Sequence, residues 1–151
     1  MQQDKEQLFQ LAIAKVKETI QLLKEERKAI SEGILEDTKS SAGDKFETSR
    51  EMLTQDLKQV EMQLEKNQTD LDELYRIQAI KSSAGMIQEG SLVNLGTDWF
   101  LISVSLGQLE MDGKKYFLLS KNSPLGQLLL GKRVDEAVPF RGKPQVIHSI
   151  L

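Results

Sequence analysis

The sequence predicts an α+β chain: a helical hairpin, followed by a small antiparallel β-sheet domain with one short helix. Three observations carry this. Two ladders of apolar residues at alternating spacings of four and three fill the first half. The composition changes near Lys81, beyond which lie all three Pro, the only Trp and most of the Gly. Short apolar runs then alternate with turn residues. The expected division is an antiparallel coiled-coil arm over 1–81, with a polar tip near 36–47, and a β-rich domain over 82–151.

The first ladder runs Phe9, Ile13, Val16, Ile20, Leu23, Arg27, Ile30, Ile34, which is the seam of a coiled-coil helix. Its helix starts near Gln2 to Lys5, where Asp4 and Glu6 suit the positive end of the helix dipole, and is expected to weaken at Gly33. The second ladder runs Phe46, Arg50, Leu53, Leu57, Val60, Leu64, Asn67, Leu71, Leu74. If the chain reverses near Lys39 to Ser41, seam positions pair with residue numbers summing to 80, as Arg27 with Leu53 and Leu23 with Leu57. Such a hairpin is a rod ~45 Å long from the helical rise. Arg27, Arg50 and Asn67 sit at core-type positions, where a polar residue costs stability and fixes register.

Between the ladders, Asp44 and Glu47 have the spacing of a capping box with Asp in the Ser/Thr place. The same two carboxylates, with Glu36 and Asp37 near them, also have the chemistry of a Mg²⁺ site, because Mg²⁺ is held by one or two carboxylates plus waters or substrate phosphates. Both readings stand from the residues alone.

In the second half, strands are expected over 91–95, 99–104, 115–119, 137–140 and 145–150, with turns at Asp112-Gly113 and Arg141-Gly142. Ser123-Pro124 opens a short helix that runs to Leu130 and is stopped by Gly131. The absence of Cys rules out disulfides and thiolate metal sites. Neither nucleotide-binding glycine motif is present, and the single His148 lies in an alternating strand with no triad pattern around it. Trp99 and the Phe residues read as core. Net charge is −3, which speaks against a broad phosphate-binding footprint and for protein partners. With no apolar run of membrane length and no signal-peptide core, a cytoplasmic chain without a membrane partner is expected.

The stretch from Leu119 to Val138, with Ser123-Pro124 and Leu129-Leu130-Gly131-Lys132 at characteristic spacing, resembles the C-terminal signature of the Gre family of bacterial transcription elongation factors. The tail from Gln145 to Leu151 resembles that family's closing strand, and Phe46-Glu-Thr-Ser-Arg-Glu51 resembles its segment at the start of helix two. The resemblance covers most of 87–151. It implies an FKBP-like fold for 82–151, docking to core RNA polymerase beside the secondary channel with Ser123, Pro124, Gly126 and Lys132 as contact candidates, and a coiled coil entering the channel. It implies a monomer that is no enzyme and has no cofactor of its own. The tip carboxylates would hold a Mg²⁺ shared with the polymerase, close to nascent RNA and DNA, and promote cleavage of backtracked RNA.

One departure bears on that role. An ungapped alignment puts Lys39 and Ala42 where the family carries its tip Asp-x-x-Glu pair, and the same spacing recurs here, displaced, as Asp44 and Glu47. Either these two are the ligands, or the chain is a Gre-like channel regulator that does not stimulate cleavage. A peptidyl-prolyl isomerase, suggested by the FKBP-like fold alone, and a coiled-coil scaffold are the readings from other classes.

Overall fold

The computed structural model describes residues 2–39, 43–81 and 85–151, with backbone alone over 37–39 and 43–48. The chain is α+β, with two long helices packed against each other and then a mixed sheet. Helix α1 spans Gln2–Lys39 and α2 spans Gly43–Gln78. The strands are β1 Leu92–Asn94, β2 Trp99–Ser103, β3 Gly107–Met111, β4 Lys114–Ser120, β5 Ala137–Phe140, β6 Lys143–Val146 and β7 Ser149–Ile150; helix α3 spans Pro124–Leu129 between β4 and β5.

Two compact units divide the chain, one of Met1–Ile13 with Asp72–Leu151 and one of Ala14–Leu71. In the unit of Ala14–Leu71 the seam is coiled-coil-like. Val16, Ile20 and Leu23 of α1 are buried, as are Val60 and Leu71 of α2, while Leu53, Leu57, Leu64 and Asn67 are half-buried. Asn67 spends its amide on the Gln63 carbonyl, 2.8 Å away and one turn back. Arg27 and Arg50 are exposed, as long stems with charged ends at a seam margin tend to be.

Gly33 does not weaken α1, which continues to Lys39. A mid-helix Gly costs about 1 kcal/mol, less than the seam contributes, and Leu53 occupies the room left by the missing side chain, its Cδ1 lying 3.5 Å from where a Cβ would stand. That contact also corrects the expected register. Leu53 reaches Gly33, nearly two turns beyond the Arg27 assigned to it.

The five-stranded sheet has the order β3-β4-β2-β1-β7, and β5 and β6 form a separate two-stranded sheet. The expectation of a purely antiparallel sheet is overturned at β2 and β4, which pair in parallel from Trp99↔Tyr116 to Ser103↔Ser120. The cause is β3, a strand the sequence reading missed. It turns back through Asp112-Gly113 to lie antiparallel on the outer edge of β4, leaving β4's other edge to β2. Both turn residues have positive φ, 52° and 76°, the type I′ geometry that matches strand twist. The expected final strand over 145–150 is also two. Ile147 is fully buried between them, β6 pairs with β5, and β7 pairs with β1.

Both faces of the large sheet are apolar. On one, Val93, Phe100 and Ile102 pack with Phe117, Leu119, Leu125, Leu129, Val138 and Phe140; the Phe100 ring lies 5.4 Å from Phe117 and meets Phe140 edge-on at 5.3 Å. On the other, the register aligns Leu92, Leu101 and Leu118 across three strands, all buried, with buried Tyr116 and Leu109 beside them. The first three turns of α1 and the last turns of α2 cover that face with Leu8, Phe9, Ala12, Leu74 and Ile77, all at most 2% exposed. Lys5 Nζ donates to the Leu151 carbonyl at 3.3 Å, and burial pushes its ammonium pKa down. A cavity of about 50 Å³ remains between Asp4, Leu92, Trp99 and Tyr116. Burial, then the nearby Asp4 and Asp112 charges, push the Tyr116 phenol up.

Candidate functional site

The residues singled out by the sequence fall in three places. Ser123, Pro124 and Gly126 lie together at the β4-to-α3 turn. Lys132 follows α3. Asp44 and Glu47 fall in α2, and their side chains lie outside the described residues.

The β4-to-α3 turn is built around one carbonyl. Ser120 O accepts from Ser123 N at 3.0 Å and from Ser123 Oγ at 2.7 Å, while Ser123 Oγ accepts from Gly126 N at 3.0 Å. Ser123 is thus the N-cap of α3, and Pro124 fills the first helical position, where its missing N–H costs nothing. Gly126 is buried, and a Cβ on it would stand 2.2 Å from Ser120 O, 2.9 Å from Ser123 Oγ and 3.0 Å from Lys121 Cα. Only glycine lets the strand end pass this close to the helix. Ser123 and Gly126 are therefore occupied in holding the turn, and Pro124 is exposed on it.

Lys132 acts first through its backbone. Its carbonyl accepts from Ile87 N at 2.9 Å, its N–H donates to Leu129 O at 3.0 Å, and Gly131 N donates to Ile87 O at 2.9 Å. These bonds tie the exit of α3 to the segment entering β1. Its side chain is half-buried.

An ion network that sequence spacing could not show joins α2 to this turn. Arg76 in the last turn of α2 contacts Glu73, and reaches Glu89 at 2.8 Å; Glu89 also receives Lys121 at 3.4 Å, and Lys121 is the residue after β4. Hydrogen bonds from Arg76 hold both carboxyls below the usual range, and the Arg76 guanidinium is raised in turn. The only signal available to the sequence was the Glu73–Arg76 spacing of one helical turn.

Among the described residues no group of three or more His, Cys, Asp or Glu side chains is gathered as a metal site, and no helix is long and apolar enough to cross a membrane. Glu32 and Glu36 flank an open groove on α1 with Ala29, Gly33 and Leu35. Ser103 Oγ is the one buried side-chain polar atom without a partner among the described residues. Neither a scan against models of known protein families nor a search of curated proteins finds a match to this chain.

Proposed function

We propose that the chain is a Gre-like factor that binds core RNA polymerase at its secondary channel and inserts the helical hairpin there, its 82–151 region having the FKBP-like fold that the resemblance implies. One observation carries the reading. The stretch that resembles the family forms a turn in which Ser123 and Gly126 are each required by geometry, and it follows a pair of long packed helices in the chain order that the family shares. The polymerase is the enzyme, and Asp44 and Glu47 supply carboxylates to a Mg²⁺ shared with it.

The second reading, a channel-binding regulator that does not stimulate cleavage, is favoured by the displacement of the tip pair from the family's position. Asp44→Asn with Glu47→Gln separates the two, since charge changes and size barely does. The double variant is expected to lose stimulated cleavage in a stalled complex and to keep its polymerase affinity. Wild-type protein that slows elongation and stimulates no cleavage at any Mg²⁺ concentration would establish the regulator instead.

A further inference from the structure

We infer that the cavity beside Trp99 and Tyr116 binds a small organic cation, the ammonium head of an alkylamine or of a lysine side chain. The inference is independent of the polymerase reading. Asp4, Leu92, Trp99, Lys114, Tyr116 and Leu151 line about 50 Å³ of space. A water needs about 10–15 Å³ of such room, so a few heavy atoms fit. Pockets for whole metabolites run to about 300–1,000 Å³, which leaves the head of a side chain or a very small amine as the occupant. Leu92 and Tyr116 are buried, Asp4, Trp99 and Leu151 half-buried and Lys114 exposed, so the cavity opens toward water at the starts of α1, β2 and β4.

The polar groups around it are uncommitted. Tyr116 is 3% exposed, yet its hydroxyl makes no hydrogen bond among the described residues, and neither does the indole N–H of Trp99 or the carboxylate of Asp4. A buried phenol ordinarily has a partner. The Tyr116 hydroxyl is not sealed in as Ser103 Oγ is, and the space beside it is this cavity. Asp4 and Lys114 line the same space without forming an ion pair.

The sign of the ligand follows from what the cavity presents. Its two aromatic rings, with centroids 6.4 Å apart and planes tilted by 41°, attract a cation through their faces. Asp4 supplies a half-buried carboxylate and Lys114 an exposed ammonium; water and salt screen the exposed charge more than the sheltered one. The Tyr116 phenol registers the same balance, since after burial the charges that raise its pKa are the carboxylates of Asp4 and Asp112. Lys5, next to Asp4 in the chain, has its ammonium on the Leu151 carbonyl at 3.3 Å.

The test follows the fluorescence of Trp99, the only tryptophan of the chain, as the full chain is titrated with methylammonium chloride at constant ionic strength. A saturable change is expected, with half-saturation at about 10 mM or above, since so few heavy atoms supply limited affinity. Asp4→Asn should raise that concentration roughly fivefold or more, a charge-assisted hydrogen bond being lost, and matching thermal melts verify that the variant folds. Lys114→Met removes the competing positive charge and should bind at least as tightly as wild type. Nα-acetyl-lysine amide separates the two sources of the head: saturation by it at a similar concentration assigns the site to a lysine of another protein, and saturation by methylammonium alone assigns it to a free amine. The inference is overturned if neither amine gives a saturable response, if ethanol or formate saturates the same signal, if Asp4→Asn titrates as wild type, or if Lys114→Met loses as much as Asp4→Asn.

Discussion

Gly126 shows how a single residue type can be forced by its surroundings. A methyl group there would meet the Ser120 carbonyl at 2.2 Å, so Gly126→Ala must push the strand end off the helix or break the cap. Overpacking of this kind costs about 1–3 kcal/mol, and the lost Ser123 cap about 1 more. We expect the thermal midpoint of Gly126→Ala to fall by roughly 4 °C or more, since each kcal/mol moves a domain of this size by about 2–4 °C. Ser103→Ala should do the reverse: a buried hydroxyl without a partner contributes nothing in the fold and costs its desolvation. Its thermal midpoint is expected at or slightly above the wild-type value. The Ser123-Pro124 pair was legible in the sequence because cap chemistry is local. The need for glycine at 126 was legible only as part of a resemblance, because the atom that forbids a side chain belongs to β4.

At the scale of elements, periodicity carried the helices and failed at the edges of the sheet. The two seams repeat often enough that one Gly could not interrupt them, and the expected weakening at Gly33 ignored the neighbour that fills its gap. β3 was missed because only Leu109 of its five residues is buried, so it lacks the alternation that marks a strand. That one omission also turned a mixed sheet into an antiparallel one. The Arg76–Glu89–Lys121 network joins elements that sequence cannot place side by side, and it makes a pH prediction. Glu73 and Glu89 have carboxyl pKa values depressed in the folded chain, first by hydrogen bonds from Arg76. Their stabilisation is therefore complete above the ordinary carboxylate pKa of about 4.3 and is lost as pH falls through the lower folded values. Arg76→Met should cost at most about 1 kcal/mol at neutral pH, as surface pairs do. In urea titrations the gap between variant and wild type should close below about pH 4. A gap that persists undiminished at pH 3 would assign the effect to packing of the side chain instead.

For the whole molecule, the division at Lys81 expected from composition and the compact units differ in an instructive way. Composition changes where the turn-rich segment begins, but the sheet's second apolar face is covered by turns of α1 and α2 that read as ordinary coiled coil. Removing them would expose Leu92, Leu101, Leu109, Tyr116 and Leu118. At about 1.5–3 kcal/mol for each large apolar side chain, the loss rivals the ~5–15 kcal/mol that holds a typical domain together. A fragment of 82–151 is thus expected to bind a hydrophobic dye and to melt without cooperativity. A sharp melt close to that of the full chain would contradict the two-faced sheet.

The same reasoning decides how the central claim is tested, because a bare β-domain would fail to bind for reasons unrelated to function. The direct measurement is sedimentation of the full chain with purified core RNA polymerase through a density gradient at low salt. The account predicts that the chain travels in the polymerase fractions at a stoichiometry near one. A chain that stays at the top of the gradient, folded and separate from the polymerase, would contradict it.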